Sequence, residues 1–394
     1  MSNISSIIKK CLIKDIKQNN GLTRNELCKS IGLALPTILK FTSELIKKGW
    51  VVETETKDST GGRKPKILSI NPEVIHSIGI DIGINSIKGI LCNFEGKIYN
   101  KLVKKLNPNI SVIAQIKSMI KDIIGKSGKE TIKCIGIGSP GFVDFKSGTS
   151  IYSPHLSGLE NVPVKEIIEK EFEIYTVLDD ISRGLAIAEK KSGVAKEINN
   201  FIFLFIDYGI GSGIFINGEF LRGDRGISGE LGHIKVTENG SLCGCGNRGC
   251  LETFISIPSI IRHVKEGLEN GVNSSLNEES ISIDNILKSA KEGDKLAFNI
   301  ITEASEYLGI AIANVLNLFG IETVILAGNP KEISEFIVEP VKRAIKFHSL
   351  SPIANKIDIR ISSLNEEITG ALGMGIIASD MLFKTDKIYD IKQI

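Results

Sequence analysis

The apolar positions of the first seventy residues predict three short helices and a hairpin. Residues 4–19 repeat apolar side chains at spacings of three and four, which predicts one buried helix face formed by Ile4, Ile7, Ile8, Cys11, Leu12 and Ile16. Thr23 and Glu26 have capping-box spacing at the start of a second helix, which ends at Gly32. A third helix begins near Pro36 and ends at Gly49, and "WVVETETKDSTGGRKPKILSI" follows as strand, Gly-Gly tip and strand.

This order of helix, short turn, helix and hairpin is that of a winged helix-turn-helix, a DNA-binding domain. Residues 1–70 carry 13 Lys and Arg against 6 Asp and Glu, a net charge of +7 that leaves −5 for the remainder. Such a basic arm suits a polyanion. The predicted DNA contacts are Thr37, Lys40 and Thr42 on the third helix and Arg63, Lys64 and Lys66 at the hairpin tip. The alternatives are a small helical dimerisation domain and a solvated basic loop.

From Ile75 the pattern changes to apolar strands separated by tight turns, and it then repeats. Asp81-Ile82-Gly83-Ile84-Asn85-Ser86 and Asp207-Tyr208-Gly209-Ile210-Gly211-Ser212 each end an apolar strand, 126 residues apart. Helical segments follow both sets of strands, so we expect an α/β body of two similar lobes with a cleft between them. The expected boundaries are 1–72 for the DNA-binding domain, 73–195 for the first lobe, and 196–394 for the second lobe with the metal loop and dimerisation helices.

Three of the seven cysteines cluster at Cys243, Cys245 and Cys250, ten residues after His233. Three thiolates and one imidazole form a Cys3His set suited to tetrahedral zinc, and four protein ligands leave no open position, so the metal is expected to be structural. The alternative is reduced cysteines in a Gly-rich loop.

The composition predicts a cytoplasmic protein without a membrane span. Apolar residues make up 42% of the 394, enough for two or three domain cores. The apolar runs, such as "FIFLFI", are far shorter than the roughly 20 residues of a transmembrane helix, and the N-terminus has no signal-peptide cleavage pattern. An odd number of cysteines argues against a secreted disulfide framework.

The two Asp-x-Gly turns, "GIGSPGFVD", "LDDIS", "GELGH" and "CGCGNRGCLE", in that order, resemble the ROK family of sugar kinases and sugar-responsive repressors. The resemblance implies a body with the actin-like ATPase (ribonuclease H-like) α/β fold. Together with the winged helix-turn-helix it covers nearly the whole chain and points to the repressor branch, similar to xylose repressors.

The resemblance also implies a sugar site. Its residues would be His155, Asp179, Asp180, Glu230, His233 and Glu252. Asp180 matches the family's catalytic aspartate, the general base of the kinases. Asp179 and Ser182 stand where the family has Asn, and His155 stands where it often has Asn, so the pocket is sugar-binding in outline and altered in detail.

The nucleotide turns depart further from the family's kinases. Asp81, Gly83, Gly209, Gly211 and Gly328 remain at positions of the nucleotide site, but Ile84 and Asn85 replace Gly and Thr at the first turn. Asp207 and Tyr208 replace Gly and Thr at the second turn, and a carboxylate beside a triphosphate is repulsive. We therefore expect no ATP or Mg2+.

The resulting prediction is a sugar-responsive regulator, a repressor of a carbohydrate-use operon of the xylose type, whose partners are operator DNA, a monosaccharide and further copies of the chain as a dimer or dimer of dimers. One alternative is an ATP-dependent ROK sugar kinase that also carries a DNA-binding domain, with Asp180 as its catalytic base. Another is a repressor controlled by a partner protein.

Overall fold

The computed structural model describes residues 2–55, 66–128, 132–153, 156–364 and 366–385. Arg63, Lys64 and His155 lie outside this described part. The helices are α1 Ser2–Gln18, α2 Arg24–Ile31, α3 Leu35–Lys47, α4 Val112–Ser127, α5 Val164–Phe172, α6 Ile181–Ser192, α7 Glu252–Ile255, α8 Ile257–Glu269, α9 Ile283–Lys291, α10 Lys295–Phe319, α11 Lys331–His348, α12 Ser351–Ala354 and α13 Glu366–Lys384.

The strands form two large sheets, one small N-terminal sheet and one isolated hairpin. They are β1 Leu22–Thr23, β2 Val51–Glu55, β3 Lys66–Ile70, β4 His76–Ile82, β5 Ser86–Asn93, β6 Ile98–Lys105, β7 Ile132–Ser139, β8 Phe142–Asp144, β9 Thr149–Tyr152, β10 Tyr175–Asp180, β11 Phe201–Ile206, β12 Ile210–Ile216, β13 Glu219–Phe220, β14 Thr323–Gly328 and β15 Asp358–Ile361.

The N-terminal domain confirms the predicted order of helices and hairpin. Thr23 and Glu26 form the capping box of α2, Gly32 ends this helix in the left-handed conformation, and β3 pairs with both β1 and β2. The predicted inward face of α1 needs a correction, because Ile4 and Ile7 are 67% and 51% exposed and Cys11 is exposed as well. The first turns of α1 extend beyond the core that the later turns cover.

The internal repeat is confirmed by two sheets with the same topology. The first has the order β10-β7-β4-β5-β6 and the second β15-β14-β11-β12-β13. In each sheet the central strand pairs antiparallel with the first strand of a meander on one side and parallel with one crossover strand on the other, and that crossover strand pairs parallel with the edge strand. Asp81 lies in β4 and Asp207 directly follows β11, so the two Asp-x-Gly turns occupy equivalent ends of the two sheets.

The C-terminal helix corrects the predicted boundary of the second lobe. Although α13 follows β15 in the chain, it packs against α6 and against β4, β5 and β7 of the first sheet. Close approach is possible because Gly79, Gly136 and Gly184 have no side chain to separate α13 from the strands and from α6. Residues 366–384 therefore belong to the first lobe.

The N-terminal domain and the first lobe share a hydrophobic core. Trp50 and Ile16 of the N-terminal domain belong to the same buried cluster as Phe94 of the first lobe and Leu382 and Phe383 of α13. The domain is thus packed onto the body by apolar contacts.

Within the described part of the chain, one helix is long and apolar enough to cross a membrane by length and composition. This helix is α10, and 56% of its most apolar stretch is buried inside the protein. Buried core helices pass the same test, so the helix is weak evidence for a membrane span.

Candidate functional site

A cleft of about 330 Å³ lies where the two sheets meet. Asp81 and Asp180 reach it from the first lobe, and Asp207, Glu230 and Glu252 reach it from the second. Asp180 ends β10 and Asp207 follows β11, so the acidic groups come from the carboxyl ends of strands, where α/β proteins commonly bind ligands.

Asp180 is fixed in the cleft by the start of α6. It is the N-cap of this helix, and its Oδ1 accepts hydrogen bonds from the Ser182 backbone N–H at 2.7 Å and from the Ser182 hydroxyl. Burial raises the pKa of Asp180 despite the nearby Arg183. Ser182, which replaces an Asn of the family pattern, therefore holds the carboxylate in place.

Asp179 does not line the cleft, which corrects its predicted role as a direct sugar contact. Its side chain is fully buried. Arg183 Nη1 donates to Asp179 Oδ1 at 2.7 Å, and Arg222 Nη1 donates to Oδ2 at 2.6 Å. Because the side chain is buried, is absent from the cleft lining and binds both guanidinium groups, Asp179 positions the neighbouring residues of the site.

Arg183 is a positioning residue that the sequence analysis missed. It is 2% exposed, and besides binding Asp179 its Nη2 lies 3.6 Å from Glu230 Oε1. It therefore ties the end of β10 in the first lobe to a predicted sugar contact in the second. The available signal was its spacing, because Asp179 and Arg183 are four residues apart across the start of a helix, where such pairs meet.

Glu230 and His233 lie on one short 3-10 turn at the cleft. Burial, with a further contribution from Asp180, raises the pKa of Glu230 to about 7. The His233 ring packs against Phe142 with 5.2 Å between ring centroids. Carboxyl and imidazole groups side by side can accept and donate hydrogen bonds to neighbouring hydroxyls.

The predicted metal ligands come together. The ligand atoms of His233, Cys243, Cys245 and Cys250 all lie within 4.8 Å of one another. Cys245 Sγ is 3.7 Å from Cys250 Sγ, and Cys243 Sγ is 3.6 Å from His233 Nδ1. A tetrahedral zinc with Zn–S near 2.3 Å and Zn–N near 2.0–2.1 Å requires edges of about 3.8 Å and about 3.6 Å, so the donor set fits Zn2+.

Glu252 connects the second Asp-x-Gly turn to the metal loop, residues 233–250, which contains the four candidate ligands. Its Oε2 accepts a hydrogen bond from the Ile210 backbone N–H at 3.2 Å, and its Oε1 lies 3.8 Å from Cys243 Sγ. The metal loop and the second sheet therefore meet at a carboxylate that lines the cleft.

Two retained glycines of the second turn are explained by packing. A Cβ on Gly209 would lie 2.7 Å from Glu252 Oε2, and one on Gly211 would lie 2.5 Å from Ser182 Cβ. Both distances are too short for any larger residue without a shift. Gly211 is thus favoured by the packing of this cleft whether or not a nucleotide binds, whereas a side chain at Gly209 would have to displace the carboxylate of Glu252.

The part of the cleft lined by Asp81, Lys88, Asp207, Tyr208 and Asn329, called here its far end, includes residues of the predicted vestigial nucleotide site. Lys88 Nζ lies 3.5 Å from Asp81 Oδ2, and burial raises the pKa of Asp81. Burial also raises the pKa of Asp207, to about 6, against the lowering effect of hydrogen bonds from Tyr208 and Asn329. Gly328 ends β14 immediately before Asn329 and packs closely on α11.

The N-terminal domain presents an exposed face of α3. Lys40 is exposed and Thr37 is half-buried, as a groove contact requires. Thr42 is wrongly predicted, because it is fully buried and its hydroxyl donates to the Ile38 carbonyl at 2.7 Å.

Lys66, on the hairpin, is exposed, and its Nζ lies 2.6 Å from Glu53 Oε2. Leu39, 42% exposed beside Lys40, was missed, although an apolar residue on a groove-facing helix can contact thymine methyl groups.

Comparison with known proteins gives matches to both parts of the chain. A profile of the ROK family matches residues 77–381, and a profile for winged helix-turn-helix DNA-binding matches residues 8–52. The xylose repressor of Caldicellulosiruptor bescii is 32% identical over 392 residues, covering 96% of this chain and 97% of the relative.

Solved structures confirm the predicted fold class. A ROK family transcriptional regulator described as a homolog of the E. coli Mlc protein is 27% identical with a TM-score of 0.78, covering 97% of this chain and 100% of its own. A ROK family glucokinase from Streptomyces griseus, solved with glucose and AMPPNP, is 23% identical with a TM-score of 0.66, covering 77% of this chain and 99% of its own. The body therefore has the actin-like two-lobed fold, and the winged helix-turn-helix precedes it.

Proposed function

The chain belongs to the ROK family, and from that premise we propose that it is a sugar-responsive DNA-binding repressor of a carbohydrate-use operon. The observation that carries the proposal is the hydrophobic core shared by the winged helix-turn-helix and the lobe that holds Asp180. A change in the body is transmitted to the DNA-binding domain through this core.

The sugar site consists of Asp180, Glu230, His233 and Glu252. A monosaccharide presents several hydroxyls that each donate and accept, and these four groups supply acceptors and an imidazole at fixed positions around one cleft. An unmatched buried polar group costs about 1–3 kcal/mol, so the pattern selects among sugars. Arg183, which binds Asp179 and lies beside Glu230, positions these residues around the cleft. His155 remains a proposed further contact outside the described residues.

The metal site has a structural role in this proposal. His233, Cys243, Cys245 and Cys250 would hold one Zn2+, which when bound supplies a fixed tetrahedral crosslink and no open coordination position. With Nδ1 directed at Cys243, the Nε2 atom of His233 is the ring nitrogen that remains for a sugar hydroxyl. The loop then presents Glu252 and His233 in one orientation.

The DNA-binding surface consists of α3 and the hairpin. Thr37 and Lys40 would contact the major groove, Lys66 the phosphates, and Arg63 and Lys64 the groove beside the hairpin. Copies of the chain, as a dimer or a dimer of dimers, would bind two half-sites in the cytoplasm. Sugar binding reduces DNA affinity only if the sugar favours the conformation that does not fit DNA.

The second turn disfavours the kinase alternative. Asp207 places a carboxylate, and Tyr208 a phenol, where the family's kinases carry Gly and Thr for phosphate binding. A coupled assay with ATP, Mg2+ and a panel of sugars tests this point, because sustained sugar-dependent turnover would support the kinase and contradict the loss of the nucleotide site.

The proposal is tested by DNA release. Duplexes selected from a random pool by the full chain are labelled, and their affinity is measured by fluorescence anisotropy with and without D-xylose, D-glucose and other monosaccharides. We expect one sugar to weaken DNA binding by about 5- to 150-fold, the usual range of allosteric coupling. Sugars that raise the thermal stability of the protein without changing DNA affinity would refute sugar control and favour a protein effector.

A pair of variants localises the response. Glu252→Gln should bind DNA as the parent does and lose most of the sugar response. Glu238→Gln, between His233 and Cys243 in the chain but 86% exposed and paired with Lys235, should retain the response. Equal responses of the two variants would remove Glu252 from the site.

A further inference from the structure

The far end of the cleft carries the chemistry of a sugar subsite, and we propose that it binds a second sugar ring, so that the preferred effector is an unphosphorylated disaccharide. This inference rests on the proposed function, because it extends the same cleft. The residues are Asp81, Lys88, Asp207, Tyr208 and Asn329, all of which line it.

The size of the cleft leaves space for a second ring. Its volume of about 330 Å³ lies in the range of about 300–1,000 Å³ that holds drug-sized ligands. A monosaccharide is much smaller than such a ligand. The charged groups fall into two sets, because Asp207 interacts with Asp81 and Lys88, whereas Glu230 interacts with Asp180, Arg183 and Glu252. One ring held by Asp180, Glu230 and His233 would leave the space around Asp207 for a second ring.

The polar groups at this end suit hydroxyls. Asp81 and Asp207 supply carboxylate acceptors, and Lys88 and Asn329 supply donors close to them. Asp207 Oδ1 is buried and has no hydrogen-bond partner among the described residues. A ligand hydroxyl that donates to this oxygen would relieve an unsatisfied polar atom, which otherwise costs about 1–3 kcal/mol.

Tyr208 adds a flat apolar surface. The residue is 40% exposed and lines the cleft directly after Asp207. The face of a sugar ring that carries C–H bonds is apolar, and an aromatic ring covers such a face while its hydroxyl stays in water. The aromatic residue beside a carboxylate, a lysine and an amide supplies both kinds of surface that a sugar presents.

The charge at this end disfavours phosphorylated ligands. Asp207 adds a carboxylate that the family's kinase pattern lacks, and the cationic Lys88 beside it is already paired with Asp81. A phosphate group in that position would meet several carboxylates in a partly desolvated site. The carboxylate that Asp207 adds is therefore expected to disfavour a sugar phosphate at this end of the cleft and to favour a neutral sugar.

The experiment is calorimetric titration of the full chain with D-xylose, D-glucose, xylobiose, cellobiose and glucose 6-phosphate. We expect a disaccharide to bind about tenfold more tightly than its monosaccharide, a difference of about 1.4 kcal/mol, and glucose 6-phosphate to bind more weakly than glucose. Disaccharides that bind no more tightly than their monosaccharides would overturn the proposal.

Variants at the far end separate the two subsites. Tyr208→Ala and Asp207→Asn should each weaken disaccharide binding about fivefold or more and leave monosaccharide binding within about twofold. Tyr208→Phe keeps the ring and should retain disaccharide affinity, and Phe347→Ala removes an aromatic ring that is 84% exposed on another surface. Equal losses for both ligand lengths would show that Tyr208 and Asp207 shape a single site, which contradicts a second subsite.

The two proposals fail differently. If a monosaccharide binds and releases DNA while no disaccharide does better, the second subsite is refuted and the sugar-responsive repressor stands. If no sugar of either length changes DNA affinity, the proposed function is refuted, and the inference that depends on it is refuted too.

Discussion

At the scale of single residues, the candidate metal site combines four side chains from two segments of the chain that only folding brings together. His233 is on a 3-10 turn and the three cysteines are on a Gly-rich loop, so a bound ion crosslinks two segments of the second lobe. Structural zinc contributes directly to folding free energy because the unfolded chain has no preformed site.

Replacing one metal ligand tests this crosslink. We expect Cys245→Ser to reduce zinc from about one ion per chain to a small fraction and to lower the melting temperature, because three ligands no longer complete the tetrahedral set. The measurements are elemental analysis of the purified protein and thermal unfolding. Cys11→Ser is the control, since Cys11 is exposed on α1 away from the metal loop. A full equivalent of zinc in Cys245→Ser would contradict the assignment.

Asp207 gives a pH dependence with a defined sign. Burial raises its pKa from 3.8 to about 6, so the folded state binds a proton more tightly than the unfolded state, and the stability from this group falls as pH rises from about 4 to about 6. Between pH 5 and pH 8 the parent should lose about 1.4 kcal/mol that Asp207→Asn does not lose. Denaturant unfolding of both proteins at the two pH values measures the difference.

Glu279→Gln is the control for this measurement, because Glu279 is exposed on the surface of the protein. The same pH dependence in Asp207→Asn as in the parent would show that other carboxyls cause it.

Sequence reasoning correctly brought together residues whose proximity follows from their spacing, since the four candidate metal ligands converge in the structure. Four metal ligands within eighteen residues need little knowledge of the rest of the fold. It failed at Asp179 and Thr42, because the direction in which a side chain points depends on partners elsewhere in the chain. For Asp179 these are Arg183 and Arg222, and for Thr42 they are the Ile38 carbonyl and Arg24.

At the scale of elements, the contact between α6 and α13 is set by glycine. A Cβ on Gly373 would lie 1.7 Å from the Gly184 carbonyl oxygen, so the two helices approach more closely than any side chain permits. Because α6 is capped by Asp180 and α13 ends against α1, this pair of helices connects the cleft to the N-terminal domain.

Gly373→Ala should separate the two helices. We expect a loss of about 1–3 kcal/mol in the free energy of unfolding, the usual effect of overpacking, measured by denaturant titration. Gly125→Ala is a matched control, since Gly125 lies in α4 and a Cβ there meets nothing within 4 Å. It should stabilise the protein by about 0.5–1 kcal/mol through helix propensity. Equal effects of the two substitutions would exclude close packing as the cause.

The elements near each Asp-x-Gly turn could be predicted because a meander of strands is local in sequence, with Gly83 and Gly96 marking its turns. The position of α13 could not, because its neighbours β4 and β7 lie more than two hundred residues away in the chain. The apolar pattern of a helix shows that it is buried, and it does not show against which sheet.

At the scale of the whole molecule, the proposed effect of a sugar on DNA affinity depends on the contacts between the N-terminal domain and the body. A cavity of about 1160 Å³ lies between α1, the end of α6 and the end of α13. Beside it, Lys17 Nζ is 3.1 Å from Asp380 Oδ1 and 4.7 Å and 5.3 Å from the ring centroids of Phe94 and Phe383. Lys17 therefore contacts the body through an ion pair and two aromatic rings at the end of the helix that starts the DNA-binding domain.

Lys17→Met keeps the aliphatic part of the side chain and removes the charge. We expect sugar affinity to stay within about twofold of the parent, because the cleft is unchanged. The ratio of DNA affinities without and with sugar should fall about threefold or more toward one, since the usual coupling is only about 1–3 kcal/mol and this contact joins the two domains. Anisotropy titrations of labelled DNA with and without the sugar measure the ratio. Lys14→Met is the control, as Lys14 is exposed on the same helix and lines the same cavity. If both variants keep the full ratio, the DNA-binding domain responds through the shared apolar core alone, and the ion pair with Asp380 only fixes its resting position.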